Sequence, residues 1–144
     1  MKNKICLLYI EQIIMVFVFA LAAAMCVQAF ALSNRLSLRN EERSRAMMAS
    51  QNAAEIFQSA RGDSGLAAEL YGGSSAGGRW TVRYDDAWQV LDASAAEAEY
   101  TLVVERVESD QPFLGLGSVS MRDSAGELLC SFFASWQEVA SNGS

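Results

Sequence analysis

The sequence predicts an α+β protein in which a long N-terminal helix, membrane-spanning in its first half, packs on a small antiparallel β-sheet. An apolar run from Leu7 to Leu32 precedes a polar stretch without Pro or Gly, and strand-like alternation begins at Arg79. The 144 residues therefore divide into five parts: a leader at 1–6, the transmembrane half of the helix at 7–32, its amphipathic half at 33–60, a linker at 61–78 and an antiparallel sheet domain at 79–144.

The apolar run has the length of a membrane span. Residues 13–32 carry no charge, and only Gln28 is clearly polar. A helix of about twenty residues rises about 30 Å, which matches the hydrocarbon thickness of a bilayer, and a spanning segment must be helical because lipid offers no hydrogen-bond partners. A cleaved secretory signal is the alternative. Its apolar region usually runs only about 7–15 residues, so the pattern favours a retained helix.

The polar stretch 33–60 is predicted to continue that helix. Met47, Ala54 and Phe57 recur at helical spacing, and Gly62 is a plausible residue to end the helix. We expect one continuous helix from about Ile5 to about Ala60, roughly 80 Å long. The text "DSGLAAELYGG" is expected to hold one short helical piece, and "GGSSAGG" at 72–78 is typical of a flexible linker.

The remaining chain is predicted to form about five strands. "RWTVRY" and "WQVLD" are expected to pair as a hairpin around "DDA", "EYTLVVERVES" alternates as a third strand, and "LGSVSMR" and "ELLCSFFASW" flank a turn containing Gly126. A body of about 70 residues without a disulfide has a marginal core of its own, so the helix should cover one face of the sheet. The predicted core aromatics are Trp80, Trp88, Phe132, Phe133 and Trp136.

Charge and residue chemistry exclude several classes of function. Residues 46–144 carry five arginines against fourteen acids, a net charge of −9, which disfavours binding of nucleic-acid phosphates. The chain has no histidine, and Asp85 and Asp86 are interpreted as turn residues. Three cysteines make no disulfide framework, and Cys26 and Cys130 are interpreted as small buried apolar residues. We expect no enzyme activity, cofactor or metal.

The N-terminal sequence resembles that of a known family. "LLYIEQIIMVFVFALAAAMCVQAFALSN" resembles the N-terminal helix of type IV pilins and of the pseudopilins of type II secretion and competence systems, and "SQNAAEIFQSA" is similar to minor pilin-like proteins of Gram-positive bacteria. The resemblance covers about the first 60 residues. It implies a pilin-like fold and cleavage by a prepilin peptidase between Cys6 and Leu7, so that Glu11 becomes the fifth residue. Cys6 stands where the family has Gly or Ala, and residues 7–60 lack the family's frequent Pro.

Glu11 has two interpretations. In the first turn of a helix a carboxylate is favoured by unpaired N–H groups and the positive dipole end, and the resemblance implies that it pairs with the amino terminus of a neighbouring subunit. Such a pair would set the axial register between helices. Otherwise Glu11 is hydrated among the lipid headgroups and simply starts the helix.

The resemblance implies a structural subunit, a minor one, of a type IV filament or of a type II secretion or competence pseudopilus. Its partners would be other pilin-like subunits, the assembly machinery, prepilin peptidase and the lipid bilayer. It would be a single-pass cell-membrane protein with its C-terminal domain outside the cytoplasm, or part of a surface filament. The alternative is a membrane-anchored extracytoplasmic binding module without a filament. Lys2 and Lys4 precede the span, and four arginines at 35–45 follow it. Because the more basic side of a span usually faces the cytoplasm, this count predicts the opposite orientation, with the C-terminal domain in the cytoplasm.

Overall fold

A computed structural model describes residues 2–139, and its architecture is α+β, as predicted. Two helices come first, α1 at Lys2–Ser59 and α2 at Ser64–Tyr71. Five strands follow: β1 at Ser74–Ala76, β2 at Arg79–Tyr84, β3 at Tyr100–Val107, β4 at Leu114–Asp123 and β5 at Leu128–Gln137. All neighbouring strands are antiparallel, and their order in the sheet is the order of the chain.

The long helix ends within a residue of the predicted position. No Pro or Gly interrupts it, and the backbone reverses at Arg61 and Gly62, both of which have positive φ. The amide of Gly62 donates to the carbonyl of Phe57 at 2.9 Å, which satisfies one of the carbonyls left open by the last turn. By contacts between residues the chain divides into two compact units, one up to Glu41 and one from Glu42 onward.

The core of the second unit lies between α1 and one face of the sheet. The helix contributes a buried stripe with the period of an α-helix, namely Ala46, Ser50, Ala53, Ala54 and Phe57. The strands contribute every second residue, and the fully buried ones include Trp80, Val82, Leu102, Val104, Val119 and Met121. Register confirms one shared face, because Val104 pairs with both Trp80 and Val119.

Ser50 and Cys130 form the polar contact in this core. The hydroxyl of Ser50 and the thiol of Cys130 lie 3.2 Å apart, and both residues are buried. The interpretation of Cys130 as a buried residue is therefore confirmed. Cys26 differs, because it is exposed on α1. The reason is that no part of the described chain covers the apolar half of that helix.

Three predictions about the second unit are wrong. The short helical piece expected in "DSGLAAELYGG" is confirmed as α2, but "GGSSAGG" at 72–78 is not a flexible linker, because it holds β1 and the glycines at 77 and 78 make the turn into β2. Asp63 begins α2 as its N-cap, accepting from the amides of Gly65 and Leu66. Phe133 was expected in the core, but it is 70% exposed because it points away from α1 on β5.

The third error concerns "WQVLD", which is not a strand. The carboxylate of Asp85 accepts hydrogen bonds from the amides of Ala87 and Gln89, at 2.9 and 2.8 Å, and this builds a turn. Trp88 then adopts a left-handed backbone, with φ of 62°, which takes the chain out of the sheet. Only one bridge remains, between Tyr84 and Val90, and β2 pairs with β3 instead.

Candidate functional site: the apolar helix and Glu11

The first unit is a helix whose side chains all lie on the surface. Every described residue up to Glu41 is exposed, including the large apolar ones. Phe19 and Phe30 each have 77% of their surface exposed. An apolar surface of this extent is unstable in water, so lipid or another protein must cover it. Among residues 2–139, α1 is the one helix long and apolar enough to cross a membrane.

Glu11 is the single acid within this apolar surface. Helical geometry places Leu7, Leu8, Ile14 and Met15 beside it, at three or four residues' separation, and all four are apolar. The ion pairs of the described chain join other residues and do not include Glu11. A carboxylate at membrane depth is costly unless it is paired or hydrated. The arrangement therefore suits a partner that brings a positive charge to the helix surface.

The position of Glu11 in the helix depends on whether the chain is cleaved before Leu7. The helix begins at Lys2, so Glu11 is its tenth residue and the first turn holds no acid. The stabilisation of a carboxylate by unpaired N–H groups falls off within the first turn. In the uncleaved chain Glu11 therefore gains no such stabilisation. The stabilisation would apply only to a chain beginning at Leu7, in which Glu11 is the fifth residue.

Cys6 and Leu7, the residues on either side of the predicted cleavage, are both helical and exposed. The bond between them lies shortly after the start of α1 at Lys2. Helix ends open locally at little free-energy cost, so a peptidase could reach this bond after fraying of the first turns. The structure thus keeps the three site residues on one accessible segment.

A second cluster lies where α1 enters the other unit, and the sequence reasoning missed it. The phenol of Tyr100 donates to Glu42 Oε1 at 2.9 Å, and the ring of Trp88 stacks on Tyr100 with centroids 4.0 Å apart. Burial of Tyr100 and then the hydrogen bond to Glu42 raise the pKa of Tyr100 to about 12. No local signal could reveal a contact between residues 58 positions apart.

A neighbouring tyrosine pair supports the same end of the sheet. The hydroxyls of Tyr71 and Tyr84 lie 3.1 Å apart. Burial, followed by the contact with Tyr71, raises the pKa of Tyr84 well above its usual value. Tyr84 is neutral at physiological pH, and the two phenols act as structural hydrogen-bond partners. Within residues 2–139, no three His, Cys, Asp or Glu side chains are grouped as metal ligands.

Comparison of the chain with known protein families, curated proteins and solved structures finds no match.

Proposed function

We propose that this chain is a minor pilin-like structural subunit of a type IV filament or of a type II secretion or competence pseudopilus. The apolar part of α1 would sit in the membrane before assembly and against other subunits afterwards. The sheet unit would lie outside the cytoplasm. One observation carries the proposal: a single uninterrupted helix, Lys2–Ser59, is wholly exposed and apolar at its start and supplies the core stripe of a sheet domain at its end.

Glu11 would position each subunit along the assembly. In a chain cleaved between Cys6 and Leu7, the new amino terminus is a cation of the kind that Glu11 requires on the apolar surface. Pairing between subunits would fix the axial register, while the packing of apolar side chains supplies most of the free energy. The net stability from the ion pair alone would be modest, because both charges lose their hydration.

A second candidate function is a single-pass anchored binding module that forms no filament. One observation favours it: Cys6 replaces the small residue expected before the cleavage site. Arginines 35, 39, 43 and 45 follow the span and would favour a cytoplasmic sheet unit by charge counting, which conflicts with the extracytoplasmic placement in both candidates.

The test uses Glu11→Ala in the native host, with Gln12→Ala as the matched control. Sheared surface material and membranes are separated by centrifugation, and the protein is quantified in each. We expect Glu11→Ala to insert into membranes normally but to be lost from the filament fraction. Gln12→Ala should behave as the parent. Equal incorporation of both variants would contradict the role of Glu11, and absence of the parent from any filament would favour the anchored module.

A further inference from the structure

β5 forms a long open edge of the sheet. The strand order places β1 and β5 at the two edges, and β1 is only three residues long whereas β5 has ten. Within residues 2–139, no strand pairs with the outer side of β5. An edge strand presents a row of N–H and C=O groups that another extended chain can pair with. β5 is therefore the edge at which strand addition is geometrically possible.

The backbone of β5 shows which groups face this edge. The amide of Glu138 donates to the carbonyl of Phe113 at 2.9 Å, on the β4 side. Backbone groups of an antiparallel strand alternate sides at each residue. Ser131 and Phe133 therefore direct their N–H and C=O groups away from β4. The carbonyl of Ser135, which has the same direction, accepts a hydrogen bond from outside the sheet.

That bond comes from Gln58 Nε2, at 3.0 Å, so a side chain of the helix occupies the edge at Ser135. Proteins usually protect long edge strands with charged side chains, Pro or a bulge. β5 reads "LLCSFFASWQ" and contains neither charge nor Pro. The irregularity in its pairing with β4 lies between Met121 and Arg122, opposite the start of the strand. The middle of β5, from Ser131 to Phe133, has none of these protections.

We propose that the β5 edge binds an extended segment of another protein by strand addition, with main-chain pairing at Ser131 and Phe133. The partner's segment is uncharged in its centre and basic at the end that lies beside Glu127. Glu127 precedes the strand and is exposed, whereas Glu138 after it already pairs with Arg106, and residues 46–144 carry a net charge of −9. Charge complementarity therefore favours a basic flank and suppresses pairing with acidic segments.

A second copy of this chain fits the edge less well, because residues 46–144 of each copy carry a net charge of −9 and would repel each other. The proposal does not depend on filament assembly. Failure of strand binding would therefore leave the filament test with Glu11→Ala unaffected, and the two proposals fail separately.

The experiment uses the full chain in detergent micelles and a labelled probe peptide, Lys-Thr-Val-Thr-Val-Thr-Lys with blocked ends. The control peptide is N-methylated at two adjacent central residues, which removes main-chain donors from both of its edges. We expect the probe to bind and the control to bind at least about tenfold more weakly, as measured by fluorescence anisotropy. Equal binding of the two peptides, or no binding of the probe, would overturn the proposal.

Hydrogen exchange locates the contact without altering the protein. The probe should slow exchange of the Phe133 amide by about tenfold or more and leave the amide of Gly77, in the β1–β2 turn, unchanged. The variant Ser131→Pro removes one backbone donor from the edge, so it should weaken binding of the probe. It should not destabilise the fold, because Pro is tolerated on edge strands. Dimers that form without peptide and are lost in Ser131→Pro would assign the edge to a second copy and overturn the proposal.

Discussion

The rings of Phe57 and Trp136 meet edge to face, with centroids 5.4 Å apart and planes at 88°. Phe57 also stacks on Trp80, at 6.4 Å and 12°. Phe57 is fully buried, and it joins the last turns of α1 to strands at both sides of the sheet. This single side chain is therefore the centre of the contact between the helix stripe and the sheet.

Replacing Phe57 with Ala should lower the free energy of unfolding of the second unit by about 3–5 kcal/mol, because it leaves a cavity between Trp80 and Trp136. The three tryptophans of the chain all lie in this unit, so their fluorescence in a denaturant titration reports on it selectively. Phe133→Ala is the matched control, because Phe133 is exposed and should change stability by less than about 0.5 kcal/mol. Similar losses in the two variants would contradict this assignment of the core.

Gly117→Ala should destabilise the unit by about 1–3 kcal/mol through overpacking. A Cβ at Gly117 would lie 2.9 Å from the ring of Phe57. The cost should therefore shrink when Phe57 is Leu, because the shorter side chain leaves room, and a double-mutant cycle measures this coupling. Ser118→Ala, on the opposite face of β4, serves as the control. An unchanged cost in the Leu background would show that the ring does not cause the strain.

The tyrosine beside Glu42 predicts a loss of stability at alkaline pH. The pKa of Tyr100 is raised from 10.0 to about 12, so the unfolded chain releases this proton before the folded one. The contribution of Tyr100 is fully present below pH 10 and falls between about pH 10 and 12, by about 1.4 kcal/mol per pH unit. The Tyr100→Phe variant should lose this part of the pH dependence in denaturant titrations.

Glu42→Gln should lower the pKa of Tyr100 towards its ordinary value, because it removes the carboxylate that holds the phenol neutral. Ultraviolet absorbance of the tyrosinate measures this shift, with Tyr100→Phe used to identify the signal of Tyr100. The main part of the shift should remain, since burial is its larger cause. A titration curve identical to that of the parent would show that Glu42 does not raise the pKa of Tyr100.

Asp63→Ala should cost about 1 kcal/mol, because Asp63 is the N-cap of α2. Its carboxylate accepts from the amides of Gly65 and Leu66, which would otherwise lack partners at the helix start. Asp86→Ala changes the same charge at an exposed position in a turn and should be nearly neutral. Equal effects of the two substitutions would indicate a general charge effect rather than capping.

The sequence was sufficient for the fold class because two periodicities are strong. The apolar run and the absence of Pro and Gly predict α1 to within a residue of its end, and the alternation in β3, β4 and β5 predicts the sheet. Errors arise where a side chain redirects the backbone. Asp85 caps a turn and Trp88 has positive φ, so "WQVLD" leaves the sheet although its composition favours a strand.

The candidate site also has features that the sequence predicts and features that it does not. Glu11 is visible in the sequence because an acid within an apolar run is conspicuous, whereas its place ten residues into the helix depends on where the helix starts. The contact between Tyr100 and Glu42 depends on tertiary packing, which a single sequence does not encode locally. Exposure of Phe133 follows from its place on the face of β5 that points away from α1, and the face on which each aromatic residue of this strand lies was not predicted.

The measurement that tests the central proposal most directly is the intact mass and N-terminal residue of the protein purified from its native membrane. We predict a chain that begins at Leu7, because only then does Glu11 lie near a helix start and face a neighbouring amino terminus. A chain that retains Cys6 and the residues before it would contradict processing into a pilin-like subunit. A chain that begins near Met25 would show that the apolar run is a cleaved signal, and filament assembly through α1 would be ruled out.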